Sequence, residues 1–209
     1  MGIGAMRINR YTIGAATQGL ANYIRQQVNG PAKVAIAYDS RNQSDTLART
    51  AADVLTGNGL EVYLFASLRP TPVLSFAVRQ LQCQAGIVIT ASHNPPEYNG
   101  YKVYWQDGAQ VVPPHDKGII QCVRSVSSFN DVVFKGNDSL LHILDADWDK
   151  NYLSTVLPLV QNQSSIEKVS ETPIVFTSIH GTGITMVPPL LALMGFKNEI
   201  QIRIYNRMK

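Results

Sequence analysis

Residues 33–41 read Lys33-Val34-Ala35-Ile36-Ala37-Tyr38-Asp39-Ser40-Arg41. The run up to Tyr38 is short, apolar and β-branched, and it gives way at once to polar residues. That pattern predicts a buried strand that delivers polar side chains to its C-terminal end. On its N-terminal side, residues 11–28 place Ile13, Ala16, Leu20, Tyr23, Ile24 and Val28 mostly three or four apart, which predicts a helix with one apolar face. Asn29-Gly30-Pro31 stops it. On the other side, Ser44 reads as the N-cap of a helix striped by Leu47, Ala51, Val54 and Leu55 and closed by Gly57-Asn58-Gly59. A strand over 61–66 follows, then a helix from Thr71, read as its cap, to about Leu81, with Pro72 at the first helical position. A third buried strand spans 85–90. Strand and helix alternate throughout, so the fold class is α/β: a mostly parallel mixed sheet sandwiched by helices, built from right-handed crossovers.

Beyond residue 90 the pattern becomes a proline-stopped polar loop, then a short hairpin (101–105 and 109–112 around Asp107-Gly108) and a helix from Pro113-Pro114 to about Val123. Residues 125–139 are polar and irregular, which places a division between a first domain, 1–140, and a second, 141–209. The second reads as a helix near 147–160, a polar loop over 161–170, a strand at 173–177, a turn at 178–183 and a helix to about Met194. One crossover cannot bury both faces of a sheet, so this part is expected to be the start of a second, similar α/β domain that either continues beyond the chain or leans on the first.

The 209 residues are 45% hydrophobic and 16% charged, the composition of a folded chain rather than a disordered one. Eighteen Lys and Arg against 15 Asp and Glu leave +3, spread along the chain, which argues against a nucleic-acid footprint. No apolar run approaches the roughly 20 residues that cross a bilayer, so no membrane partner is expected. Cys83 and Cys122 form no metal or disulfide pattern and read as buried apolar groups, fitting a reducing cytoplasm.

In open α/β sheets ligands collect outside the carboxyl ends of the strands. Three polar loops converge there: Asp39-Ser40-Arg41, residues 67–71, and Thr90-Ala91-Ser92-His93-Asn94-Pro95-Pro96-Glu97-Tyr98-Asn99-Gly100-Tyr101-Lys102. A Ser beside a His and an Asn, with a Lys ten residues on, suits phosphoryl transfer: an oxygen to carry the group, a cation to neutralise charge, polar groups to orient donor and acceptor.

This block closely resembles the signature T-[AG]-S-H-N-P-x-x-x-N-G-x-K of the α-D-phosphohexomutases. Asp39-Ser40-Arg41 is similar to that family's first-domain D-x-R turn, Arg69-Pro70-Thr71-Pro72 to its T-P helix start, and His180-Gly181-Thr182-Gly183 to the H-G-x-G turn that opens its second domain. The resemblance runs from about Gly2 to Phe196, and Arg7-Ile8-Asn9 with Ala16-Thr17-Gln18-Gly19-Leu20 is most similar to the phosphoglucomutase/phosphomannomutase branch. It implies a phosphosugar mutase, an intramolecular phosphotransferase that interconverts hexose 1-phosphate and 6-phosphate through a phosphoserine and a bisphosphate. Ser92 would carry the phosphate and touch Mg²⁺ through it. Lys102 would be the general acid/base or charge partner, and His93 and Asn94 would orient the sugar hydroxyl and Ser92. Arg41 would bind phosphate, or only pair with Asp39 or Asp45. A hexose bisphosphate would be the activator and a small phosphosugar the ligand.

Two other segments read as structural. His180-Gly181-Thr182-Gly183 suits a tight strand-to-helix turn better than a ligand site. Asp145-Ala146-Asp147-Trp148-Asp149 lacks the Gly and Arg of the family's D-G-D-x-D-R metal loop and suits a capped helix N-terminus. That loop, an F-G-T-x-G-x-R-G segment and a G-E-E-S-G sugar loop have no counterpart here, so the chain is expected to be a fragment, inactive alone and prone to self-association through exposed apolar surface. The alternative is a non-catalytic sugar-phosphate-binding or interaction module from a truncated gene.

Overall fold

Strand β2 (Lys33–Tyr38) is flanked on both sides and buried at its four central positions. Val34 and Ile36 face one apolar cluster, and Ala35 and Ala37 face the other. Its alternation therefore divides the protein into two helical layers. The computed structural model describes residues 1–3 and 6–201. A five-stranded sheet has the order β6 (Tyr101–Trp105), β4 (Ala85–Ile89), β2, β3 (Glu61–Phe65), β7 (Leu141–Leu144). Strands β4, β2, β3 and β7 run parallel, and β6 closes one edge antiparallel. Two short pairs lie outside it: β1 (Gly2–Ile3) against β5 (Tyr98–Asn99), and β8 (Ile174–Phe176) beside β9 (Glu199–Gln201). The α/β sandwich expected from the alternation is the fold observed.

On the Val34 face lie α1 (Arg10–Gln27), α2 (Ser44–Gly57) and α4 (His115–Arg124), supplying Leu20, Ile24, Leu47, Leu55 and Ile119 to the core. On the Ala35 face lie α3 (Thr71–Gln80) and α5 (Ala146–Val156), with Val73, Leu74, Val78 and Leu153. Each fully buried aliphatic side chain contributes about 1.5–3 kcal/mol. Helix α1 starts at a capping box: Asn9 Oδ1 accepts from the Tyr11 and Thr12 amides at 2.8 and 2.9 Å, and Thr12 Oγ1 accepts from the Asn9 amide at 3.0 Å. Where α1 crosses α4 the backbones nearly touch. A Cβ on Gly19 would sit 2.5 Å from Val123 Cα. Gly19→Ala is accordingly expected to cost about 1–3 kcal/mol by overpacking, and an unchanged urea midpoint would show that the two helices part freely.

Several local expectations change. Ser44 is not a cap. Gln43 precedes the helix in the left-handed region (φ 63°), and Ser44 is the first helical residue. Thr71 is likewise helical, behind Pro70. The segment 161–170, expected as a loop, contains α6 (Gln163–Lys168). The division expected at residue 140 falls inside the sheet, because β7 pairs with β3. Helix α7 (Val187–Met194) and the β8–β9 pair follow, and Val175 and Ile200 stay exposed there. Met186 and Leu190 reach the Ala35-side cluster, so this part does lean on the first. Cys83 and Cys122 are both buried and free, and burial pushes the Cys83 thiol up to about 12. Among the described residues no helix is long and apolar enough to cross a membrane.

Candidate active site

The connection leaving β2 runs to β3 on one side, while β4 runs on to β6 on the other. Loops that diverge from adjacent parallel strands leave a crevice at their carboxyl ends. A cleft of about 510 Å³ lies there, lined by Asp39, Ser40, Arg41, Thr90, Ser92, His93, Asn94, Pro96, His180, Gly181 and Thr182.

Ser92 is exposed at the head of the 90–100 loop. Its backbone is left-handed, φ 60°, a region that disfavours any side chain with a Cβ. The Ser92 amide donates to Thr90 Oγ1 at 3.0 Å, and Ser92 Oγ stands 3.4 Å from His93 Nδ1. The loop returns through Gly100, whose carbonyl accepts from the Thr90 amide at 3.0 Å. A Cβ on Gly100 would lie 2.7 Å from the Thr90 carbonyl oxygen, so only glycine permits this closure.

Arg41 reaches beneath the loop. Nη2 donates to the carbonyls of Ser92 and Asn94 at 2.7 and 2.6 Å, and Nη1 to those of Pro95 and Tyr98 at 2.7 and 3.1 Å. Nε donates to Asp39 Oδ2 at 3.1 Å. Asp39 Oδ1 in turn accepts from the Arg41 amide at 3.0 Å and from Ser44 Oγ at 2.8 Å. Ser44 Oγ accepts from Asn99 Nδ2 at 2.9 Å. The Asp39 pairing that the sequence left open for Arg41 is present; Asp45 takes no part in it.

Four of the expected residues, Ser92, His93, Asn94 and Arg41, therefore meet at one cleft. Lys102 does not line it. It lies on β6 opposite Val88, on the sheet face it shares with Tyr104, and has no ion pair among the described residues. The far wall is His180-Gly181-Thr182, a segment whose sequence suits a turn better than a ligand site. Ser40 Oγ donates to the His180 carbonyl at 2.9 Å and ties that wall to the β2 loop. The wall's sequence signals are a polar turn after a strand and the likeness to the H-G-x-G turn. Asp145 does cap α5, accepting from the Asp147 and Trp148 amides at 3.0 and 3.3 Å.

A divalent cation needs several free oxygens. Asp39, the one carboxylate lining the cleft among the described residues, already accepts from Arg41 and Ser44. Among the described residues no group of three His, Cys, Asp or Glu side chains suits a metal. The side chains here do not fit Mg²⁺ unaided.

The phosphoglucomutase/phosphomannomutase alpha/beta/alpha domain I family model matches residues 2–129. The chain belongs to this family. Among curated relatives of this chain, a probable phosphoribomutase of Schizosaccharomyces pombe is 38% identical over 208 residues, covering 96% of this chain and 35% of its own. A phosphoglucomutase of Staphylococcus haemolyticus is 36% identical over 197 residues, covering 94% of this chain and 36% of its own. The chain thus spans about a third of the length of these relatives. A crystal structure of a putative phosphomannomutase from Thermus thermophilus superposes with a TM-score of 0.81 at 25% identity, over 96% of this chain and 43% of that one.

Proposed function

We propose that this chain is the nucleophile-bearing part of a phosphosugar mutase of the phosphoglucomutase/phosphomannomutase type. The observation that carries this reading is Ser92, held at φ 60° with its hydroxyl exposed in a cleft at the sheet's carboxyl edge. A phosphoryl group on Ser92 Oγ passes to a sugar hydroxyl: the Ser–O–P bond breaks, a sugar O–P bond forms, the hydroxyl gives its proton to a base, and Ser92 Oγ takes up a proton as it leaves. The resulting bisphosphate reorients. Its other O–P bond then breaks as a new bond to Ser92 Oγ forms, the Ser92 hydroxyl gives up its proton, and the sugar oxygen takes one up. Such transfers depend on positioning and charge neutralisation more than on covalent help.

His93, 3.4 Å from Ser92 Oγ, is proposed to orient Ser92 and the sugar hydroxyl. Asn94 lines the cleft beside it and is proposed to orient the sugar hydroxyl. Lys102 stays in the proposal as the acid/base or charge partner, a role that requires its side chain to reach from β6 to the cleft it does not line. Mg²⁺ belongs to the proposal through the Ser92 phosphate, with its remaining ligands outside the residues described above, and a hexose bisphosphate is the activator.

The test is to incubate the purified chain with Mg²⁺, glucose 1,6-bisphosphate and glucose 1-phosphate or mannose 1-phosphate, following 6-phosphate formation and intact mass. The expected outcome is one phosphoryl group per chain, on Ser92, without sustained turnover. Sustained turnover sinks the expectation that further parts are needed. Tight phosphosugar binding with no phosphoryl gain favours the non-catalytic module.

A further inference from the structure

Arg41 is the strongest unexplained feature of the cleft, since a cation beside a serine invites the role of phosphate ligand. An arginine has five N–H donors and no acceptor. All five are spent on protein oxygens: one on Asp39 Oδ2, four on the carbonyls of Ser92, Asn94, Pro95 and Tyr98. The side chain is 9% exposed. An incoming phosphate would have to displace a carbonyl and leave it unpaired, which opposes the exchange.

We infer that Arg41 is a positioning residue that sets the backbone of the Ser92 loop, and not a ligand of the substrate's phosphate. The inference rests on the phosphoserine reading for its catalytic consequence and on the hydrogen bonds alone for its geometry. The planar fork holds the Ser92 carbonyl and the three carbonyls that follow it in the loop, while Thr90 Oγ1 holds the Ser92 amide, and together they keep that residue in a backbone region it does not favour. Asp39 fixes the fork from behind, and Ser44 with Asn99 links it to the loop's return. The network thus grips the loop near both ends. Lysine has three donors on a single nitrogen and cannot reproduce a planar five-donor fork.

The test compares the wild-type chain with R41M, R41K and S44A in three measurements. Amide hydrogen exchange is read at Ser92, Asn94 and Tyr98, binding is read with inorganic phosphate, and the rate of Ser92 phosphorylation is read against glucose 1,6-bisphosphate concentration. R41M and R41K are each expected to speed exchange at these amides at least tenfold while β2 and β4 amides keep their protection. Phosphate affinity should stay within twofold. The maximal phosphorylation rate should fall at least tenfold with the half-saturating concentration within twofold, a split that general loosening does not produce. S44A, which removes no charge, should speed exchange at the same amides about threefold and covers the case of R41M failing to fold. Phosphate affinity lowered tenfold in R41M and restored in R41K would overturn the inference in favour of a ligand. Wild-type loop exchange in R41M, or in S44A, would also overturn it. A wild-type chain that accepts no phosphoryl group sinks the phosphoserine reading instead, and the exchange and phosphate measurements then judge the clamp by themselves.

Discussion

Ser92→Ala is expected to abolish phosphoryl uptake from a hexose bisphosphate while leaving the chain folded. In a mutase-length polypeptide, losing the nucleophile should lower kcat at least about 10³-fold. The stability half of the expectation follows from exposure. The hydroxyl is at the surface, its contact with His93 is long, and the hydrogen bond from the Ser92 amide to Thr90 Oγ1 survives the substitution. Unfolding should therefore shift by no more than about 0.5 kcal/mol. Ser92→Gly separates chemistry from strain more sharply. A left-handed residue bearing a Cβ costs roughly 1–2 kcal/mol, and glycine escapes that while losing more chain entropy on folding. Ser92→Gly should then be as inactive as Ser92→Ala yet as stable as wild type or more so, by up to about 1 kcal/mol. Phosphorylation persisting in either variant, located by peptide mass, would move the nucleophile elsewhere and sink the assignment.

The sheet was legible because its central strands are apolar on both faces. Val34 and Ile36 need one helical layer and Ala35 and Ala37 another, so the run at 33–38 demands a sandwich before any pairing is known. Edges carry less signal. In β7 only Leu144 is buried, and His142 and Ile143 are exposed, so the strand exists through its pairing with β3 and not through its own pattern. Ser44 shows the limit of local rules. Its residue type suits a cap, but Gln43 turns left-handed and the Ser44 hydroxyl goes to Asp39 and Asn99 instead. The site divides in the same way. Ser92, His93 and Asn94 share one loop and were readable together, whereas the saturation of Arg41 depends on carbonyl directions that no residue type encodes. His180 arrives from 140 residues away through one bond to Ser40 Oγ.

The largest expected effect on stability lies away from the cleft, at Arg69. Its Nε and Nη2 donate to the two carboxylate oxygens of Asp149 at 2.8 and 2.7 Å, with the side chains 3% and 9% exposed. Nη1 donates to Ser67 Oγ at 2.6 Å and to the Leu68 carbonyl at 2.8 Å, and the Arg69 amide donates to the Tyr38 carbonyl at 3.1 Å. One side chain therefore fixes the loop after β3, while its partner anchors α5, which packs against that face of the sheet. Removing one member of a buried pair strands the other charge, at about 3–5 kcal/mol. Asp149→Ala should accordingly lower Tm by on the order of 10 °C, taking about 2–4 °C per kcal/mol for a chain of this size. The double variant Arg69→Met with Asp149→Leu decides whether the effect is a stranded charge or lost packing, because apolar replacements of similar volume often match a buried pair. Recovery of most of the loss in the double variant assigns it to the stranded charge. A double variant as unstable as the sum of its singles would assign the loss to the packing and hydrogen bonds that each side chain makes, those of Arg69 to Ser67 and Leu68 included, and not to a stranded charge.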